Sequence, residues 1–220
     1  MEYIEILLGD GCRRQQNGGG VSPSGETYQC GGFGYSYGDF GGGGDLTTEA
    51  FRAVIRAWEG REEETLLTAL VTKELAYPSV EYMFNHFLDH ALPAPLGLTP
   101  LLFEATAQRD RVAARILRVQ GTELGLAARA VIRRLGMQSE TFDLVLAGSV
   151  LTRGDGQFIH PYIVELVQPE APGCRLQVLG VEPVVGAILL AMEKDGRAVS
   201  EPVQEQVRRI SDLKGVLAGG

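Results

Sequence analysis

The stretch FDLVLAGSVLTR, residues 142–153, decides the fold class that this sequence predicts. Its first six residues form an apolar run of strand length, which Gly148 ends. A helical pattern follows over residues 157 or 161 to 167, then a second short strand over residues 175–179 and an apolar helix that Pro183 opens. This order of strand, helix, strand and helix predicts an α/β domain with a parallel pair of strands beneath helices.

A series of predicted helices precedes this stretch. Asp45 or Thr47 caps the first, which Gly60 ends. The longest begins near Asp110 and ends at Gly136, because apolar residues recur three to five positions apart along it. Between these two, helices are predicted over residues 62–75, over residues 80–88 after the cap Ser79, and from Thr99. Residues of about 61–109 therefore read as a helical block.

The start of the chain is harder to assign. After a short β-like run over residues 4–8, the sequence GDGCRRQQNGGG shows neither helical nor strand periodicity. VSPSGETYQC, residues 21–30, then predicts two short strands about a turn. We therefore expect an irregular segment over residues 1–20, a domain over 21–195 and a tail over 196–220 with its own amphipathic helix.

Composition excludes several classes of protein. The net charge of −8 argues against a surface for nucleic acid or anionic membrane, and no apolar run approaches the roughly 18 residues of a spanning helix. Three widely separated cysteines argue against a disulfide framework and favour the reducing cytoplasm. His86 and His90 share a helix face without the glutamate of an H-E-x-x-H motif, so no metal site is predicted.

One loop is a candidate binding segment. Residues 30–45 read CGGFGYSYGDFGGGGD, with eight glycines distributed on both sides of Asp39. Glycines let a ligand approach the backbone, a carboxylate can accept hydrogen bonds from two hydroxyls, and aromatic rings pack against the apolar face of a sugar. The alternative is a flexible, low-complexity loop with a solvated Asp39. The binding loop is favoured, because strands precede it and a helix follows directly.

The turn after the strand at residues 142–147 is a second candidate. A buried strand that ends in Gly148-Ser149 brings backbone close to whatever binds at its carboxyl end, so a purine could lie against this pair. The alternative is a strand-to-helix turn that needs small residues for packing. Taken alone, the motif favours that alternative.

As a set, these segments resemble the second half of a sugar kinase of the actin/hexokinase/heat-shock-70 superfamily. They are most similar to the N-acetylglucosamine kinase and BadF/BadG/BcrA/BcrD ATPase group. The similarity runs over about residues 21–192 and includes the glycine-rich loop, Trp58-Glu-Gly60, the helix opened by Asp110, LVLAGSV and EPVVGAILLAM. It implies an α/β, ribonuclease-H-like (actin-like ATPase) domain with a mixed sheet and a large helical insertion.

The resemblance also implies a site and a reaction. The residues expected to contact the sugar hydroxyls are Gly32, Phe33 and Asp39. Those expected to flank the adenosine are Gly148, Ser149 and Arg153. The implied cofactors are ATP and Mg²⁺, the implied partners are ATP or ADP and an amino sugar, and the implied reaction moves the γ-phosphate to a sugar hydroxyl.

Departures from the family pattern leave the activity open. The early phosphate loop and the catalytic Asp of the family's first domain have no counterpart here, and Gly9-Asp10-Gly11 places a negative charge where a phosphate should bind. We expect a truncated kinase lobe without a catalytic residue of its own. The alternative is a non-catalytic nucleotide- or sugar-binding module that forms a homodimer. A third interpretation, a 2-hydroxyacyl-CoA dehydratase activator, lacks the expected neighbours of Cys30 and Cys174.

Overall fold

The computed structural model describes residues 3–8, 16–40 and 42–180, together with Met192 and Asp195. Internal contacts divide the chain into two units, Met1–Val178 and Leu179–Gly220. Every element described below belongs to the first unit. The helix predicted after Pro183, the tail helix over 200–213 and the Gly9-Asp10-Gly11 segment lie outside the described residues, apart from Met192 at the end of the first.

A five-stranded mixed sheet is the centre of the first unit. Its spatial order is β3-β2-β1-β4-β5, in which β1, β4 and β5 are parallel and β2 runs antiparallel to both of its neighbours. The strands are β1 (Tyr3–Leu8), β2 (Gln16–Val21), β3 (Thr27–Gly31), β4 (Phe142–Ala147) and β5 (Cys174–Val178). The predicted parallel pair, β4 and β5, is confirmed, as is the mixed sheet.

The start of the chain differs from the expectation. The β-like run of residues 4–8 is confirmed as β1, but residues 16–20, expected to be irregular, belong to a second strand of the same sheet. The sequence of β2, QNGGGV, hid the strand because glycine has no side chain to alternate between faces. β2 is a strand because its backbone pairs with β1 on one side and with β3 on the other. The predicted hairpin of residues 21–30 is confirmed, with its first strand longer than expected.

A tight turn joins β2 to β3. The amide of Ser22 donates to the carbonyl of Glu26 at 2.9 Å, and the amide of Gly25 donates to the carbonyl of Ser22 at 2.9 Å. The buried Ser22 hydroxyl also accepts the amide of Glu26 at 3.1 Å. Three hydrogen bonds therefore fix the length of this turn.

Seven helices are described in this unit. They are α1 (Gly43–Trp58), α2 (Leu67–Glu74), α3 (Val80–Asp89), α4 (Thr99–Ala107), α5 (Arg111–Arg134), α6 (Ser149–Arg153) and α7 (His160–Val167). The predicted cap is confirmed at Ser79, whose hydroxyl accepts the amide of Tyr82 at 3.1 Å. The predicted start of the longest helix near Asp110 is also confirmed, since the Asp110 carboxylate accepts the amide of Ala113 at 2.8 Å. α7 begins between the two predicted starts, after a 3-10 turn over Gly156–Phe158.

The second helix starts later than predicted. It begins at Leu67 rather than at residue 62, because its upstream segment is tied to the start of α5. Asp110 accepts the hydroxyl of Thr65 at 2.9 Å and the amide of Leu66 at 2.7 Å. The Glu62 carboxylate, expected to start the helix, instead pairs with an arginine of α5.

The first helix starts earlier than predicted. It begins at Gly43, so neither Asp45 nor Thr47 is its cap. Gly42 precedes it with a φ of 150°, which favours glycine, and Thr47 is buried against Thr99.

Helix α5 connects the sheet to the other helices. It packs on β1, β2 and β3 with one side and carries α7, α4 and α1 on others. Its contact with α7 is unusually close: a Cβ built on Gly121 would lie 2.6 Å from the carbonyl oxygen of Ile159. The sheet contributes Phe142, Leu144 and Leu146 to the same buried core.

Candidate functional site

The glycine-rich loop and the turn after β4 leave the sheet at the same edge. Gly31 of β3 pairs with Asn17, Asn17 with Leu7, and Leu7 with Ala147 of β4. These four residues form one row across the sheet, and three strand spacings of about 4.8 Å put its ends about 14 Å apart. The carboxyl ends of parallel strands are where open α/β sheets bind ligands.

Asp39 organises the loop. Its carboxylate oxygen Oδ2 accepts the amide of Phe33 at 2.7 Å and the amide of Gly34 at 2.5 Å. The residue is only 8% exposed, so Asp39 is not the solvated carboxylate of the low-complexity alternative. Gly34 has a φ of 110° and Gly38 one of 95°, which explains glycine at these two positions. The loop is therefore held by one buried carboxylate.

Aromatic rings of the loop face outward beside this carboxylate. Phe33 is 61% exposed and Tyr37 is 80% exposed. Burial, with a smaller contribution from the charge of Asp39, raises the pKa of the neighbouring Cys30 thiol. Cys30 is thus a protonated thiol and no nucleophile at neutral pH. An exposed ring above an ordered backbone suits a flat ligand face.

Helix α1 is tied to helix α4 just after the loop. The Thr99 hydroxyl donates to the carbonyl of Gly43 at 3.0 Å and lies 3.2 Å from the Thr47 hydroxyl. All of these groups are buried. The amino-terminal ends of α1 and α4 are therefore held together by side-chain hydroxyls.

The turn after β4 is compact. Gly148 has a φ of 96°, and its carbonyl accepts the hydroxyl of Thr152 at 3.0 Å. Further along, a Cβ built on Gly154 would lie 2.5 Å from Cζ of Phe103 on α4. Gly148 is thus favoured by its backbone conformation and Gly154 by its packing against Phe103.

A groove runs between these elements in two parts. One cavity of about 240 Å³ is lined by Gly43, Gly44 and Thr47 of α1 and by residues 96, 97, 99 and 100. A second, of about 330 Å³, is lined by Thr99, Pro100, Phe103, Ser149, Val150, Gly154 and Asp155. Thr99 and Pro100 line both, so α4 forms the wall that the two cavities share.

The structure brings the predicted residues to one edge, although not into one cavity. Ser149 lines the larger cavity, and Gly148 is its neighbour at the end of β4. Gly32, Phe33 and Asp39 lie in the loop that leads to α1 and line neither of the two cavities. The side chain of Arg153 lies outside the described part of the chain.

Sequence reasoning missed most of the groove residues, among them four from α1 and α4. These four are Thr47, Thr99, Pro100 and Phe103. The Thr-Pro pair that opens α4 was the available signal, because proline at the first turn of a helix leaves the preceding polar side chain at the helix end.

A third cavity, of about 250 Å³, lies between α1 and α5, and most of the charged side chains that line it are paired. Arg115 pairs there with Glu62, and Arg52 lies 3.6 Å from Glu49. The amide of Glu63 and the Arg115 guanidinium lower the pKa of Glu62. The buried amide of Gln120 lines this cavity and has no hydrogen-bond partner.

The described residues contain neither a metal-site cluster nor a membrane-spanning helix. Among them, no three His, Cys, Asp or Glu side chains cluster as a metal site would require. The rings of His86 and His90 stack with centroids 4.5 Å apart. Within the same part of the chain, every helix is too short or too polar to cross a bilayer.

Sequence comparison finds relatives among sugar kinases. No protein-family model matches the sequence. The N-acetylmuramic acid/N-acetylglucosamine kinase of Clostridium acetobutylicum is 25% identical over 174 residues, which cover 78% of this chain and 56% of that protein. The N-acetyl-D-glucosamine kinase of Dictyostelium discoideum is 25% identical over 193 residues, which cover 86% and 59% respectively. The chain thus spans somewhat over half the length of these curated relatives.

Comparison with solved structures agrees. A proposed N-acetylglucosamine kinase from Chromobacterium violaceum matches with a TM-score of 0.60 and 26% identity, over 86% of this chain and 59% of that one. A proposed sugar kinase from Cytophaga hutchinsonii matches with a TM-score of 0.52 over 87% and 57%, and at 13% identity it bears on the fold alone. The resemblance stated from the sequence is confirmed.

Proposed function

Because this chain is a homologue of the N-acetylglucosamine kinases over 56–59% of their length, we propose that it is the lobe of such a kinase that holds the sugar and the adenosine. The observation that supports this most is the shared sheet edge, where the loop of Asp39 and the turn of Gly148 both leave the sheet. The proposed domain is ribonuclease-H-like, with α2 to α4 as its helical insertion.

In the proposed sugar site, the loop is ordered before the ligand arrives. Oδ2 of Asp39 is committed to the amides of Phe33 and Gly34, and its second oxygen is proposed to accept ligand hydroxyls. The exposed Phe33 ring would pack on the apolar face of the sugar. Gly32 would let the backbone approach the ring closely.

In the proposed nucleotide site, the larger cavity receives the adenosine. Gly148 and Ser149 would flank it from the end of β4, with Phe103 on the opposite wall. Arg153 is proposed to lie beside the nucleotide from the end of α6. Mg²⁺ and ATP are proposed as cofactors on the family resemblance, and the cytoplasm is proposed as the location because the three cysteines are far apart in the sequence.

Binding experiments test both halves. ADP and N-acetylglucosamine are each titrated into the full chain by calorimetry. Ser149→Glu should abolish ADP binding, because a carboxylate in the cavity repels the diphosphate, whereas Ser139→Glu, at an exposed position after α5, should not. Phe33→Ala should weaken sugar binding about tenfold, within the range of a single aromatic contact, whereas Tyr82→Ala, equally exposed on α3, should leave it unchanged.

The outcome also decides between transfer and binding alone. No heat with either ligand contradicts the proposal. ATP consumption with N-acetylglucosamine at ordinary kinase rates, of order 1–100 s⁻¹, means that the chain carries out transfer itself. Binding without turnover supports the alternative of a non-catalytic nucleotide- and sugar-binding module, or a lobe whose catalytic Asp is supplied elsewhere.

A further inference from the structure

Helix α4 touches both halves of the proposed site. At its amino-terminal end, the buried Thr99 hydroxyl donates to the carbonyl of Gly43 in the first turn of α1. One turn further, the Phe103 ring packs against Gly154, where a Cβ would lie 2.5 Å from Cζ of the ring. α4 therefore contacts helix α1, which follows the glycine-rich loop, and Gly154, which follows the turn of Gly148.

These two contacts differ in kind. The Thr99 contact is a hydroxyl bridge between two helix ends, and removing one hydroxyl breaks it without changing the volume of the side chain. The Phe103 contact is close packing against backbone, because a Cβ built on Gly154 would also lie 2.6 Å from the carbonyl oxygen of Val150. Close-packed interiors transmit small displacements rather than absorb them.

We propose that Thr99 is a positioning residue that couples sugar binding to nucleotide binding through α4. A nucleotide in the larger cavity presses on the wall formed by Thr99, Pro100 and Phe103, and the Thr99 hydroxyl passes that displacement to the first turn of α1, which begins where the sugar loop ends. This inference rests on the proposed function. It adds a residue that contacts neither ligand's reacting groups and acts through Gly43.

Three variants isolate the hydroxyl. Thr99→Val keeps the shape and removes the hydroxyl, and Thr99→Ser keeps the hydroxyl and removes a methyl group. Thr106→Val is the matched control, because Thr106 is a buried threonine of the same helix whose hydroxyl bonds only within that helix, to Leu102 at 2.7 Å.

The measurement is the affinity for ADP with and without saturating N-acetylglucosamine. In the native chain, saturating N-acetylglucosamine should change the affinity for ADP about fivefold or more, as for typical coupled sites. The same ratio of affinities is expected for Thr99→Ser and Thr106→Val. In Thr99→Val the ratio should fall to within about twofold of unity, while each ligand still binds alone. An unchanged ratio in Thr99→Val overturns the inference, as does an equal loss in Thr106→Val.

A second readout separates this inference from the proposed function. If both ligands bind the native chain independently, the proposed function stands and the coupling is wrong. If neither binds, the proposed function fails, and hydrogen exchange decides the rest. Thr99→Val should then speed exchange in residues 43–48 and in residues 149–155 together. Faster exchange in residues 43–48 alone overturns the coupling.

Discussion

Replacing Asp39 with alanine should loosen the glycine-rich loop. The substitution removes the acceptor of two amide hydrogen bonds, to Phe33 at 2.7 Å and to Gly34 at 2.5 Å. A hydrogen bond to a charged group contributes about 1.5–3 kcal/mol. Phe33 is largely exposed, so water can replace part of each bond, and the lower end of that range applies. The free energy of opening the loop should therefore fall by about 3 kcal/mol in total.

Amide hydrogen exchange is the direct assay. At about 1.4 kcal/mol per decade, exchange at Phe33 and Gly34 should become about 100-fold faster in Asp39→Ala. Asp39→Asn keeps an acceptor without its charge and should give about half of the change in free energy. Asp155→Ala is the control. That exposed carboxylate accepts the amide of Gln157 at a distance of 3.2 Å, and it is not part of the glycine-rich loop.

Two results would refute this reasoning. If exchange at Phe33 and Gly34 changes by less than about threefold in Asp39→Ala, the carboxylate does not hold the loop. If Asp39→Asn is as severe as alanine, the charge rather than the geometry organises the backbone. In the first case the Asp39 side chain would be oriented for a ligand, and its hydrogen bonds to the loop would be incidental.

Three further predictions concern stability, each measured by urea denaturation followed by Trp58 fluorescence. Gly121→Ala should lower the free energy of unfolding by about 1–2 kcal/mol, since overpacking against Ile159 exceeds the gain of about 1 kcal/mol in helix propensity; a more stable variant would contradict the close contact. Arg109→Gly should raise it by about 1 kcal/mol, because Arg109 is exposed at a φ of 67°. Burial lowers the pKa of His160 from 6.5, so the folded state resists its protonation and stability should fall as pH drops below 6.5. His160→Phe should reduce that slope, and an unchanged slope would assign it to other groups.

Sequence reasoning succeeded where local chemistry determines the structure. Ser79 and Asp110 begin their helices because their side chains accept amides of the first turn, which is a property of a few adjacent residues. Strand β4 was predictable because its buried residues make an apolar run. Such features do not depend on what lies elsewhere in the chain.

Sequence reasoning failed where a residue far along the chain determines the local structure. The segment before α2 is not helical because Asp110, 44 residues further along, accepts the amide of Leu66. The site shows the same limit. The glycines indicated a binding loop, yet the inward position of Asp39 and the bridge from Thr99 to Gly43 follow from tertiary contacts that no spacing reveals.

The hairpin turn at Ser22 has an effect at the far end of the sheet. Half of strand β2 is glycine, so the alternation of its side chains specifies its register with β3 only weakly. The length of the turn, fixed by its three hydrogen bonds, must set that alignment instead. Inserting one residue there would shift β3 by about 3.4 Å relative to β2. Gly31, where β3 ends and the glycine-rich loop continues, would shift with it. The geometry of the proposed site thus depends on a turn at the opposite end of β3.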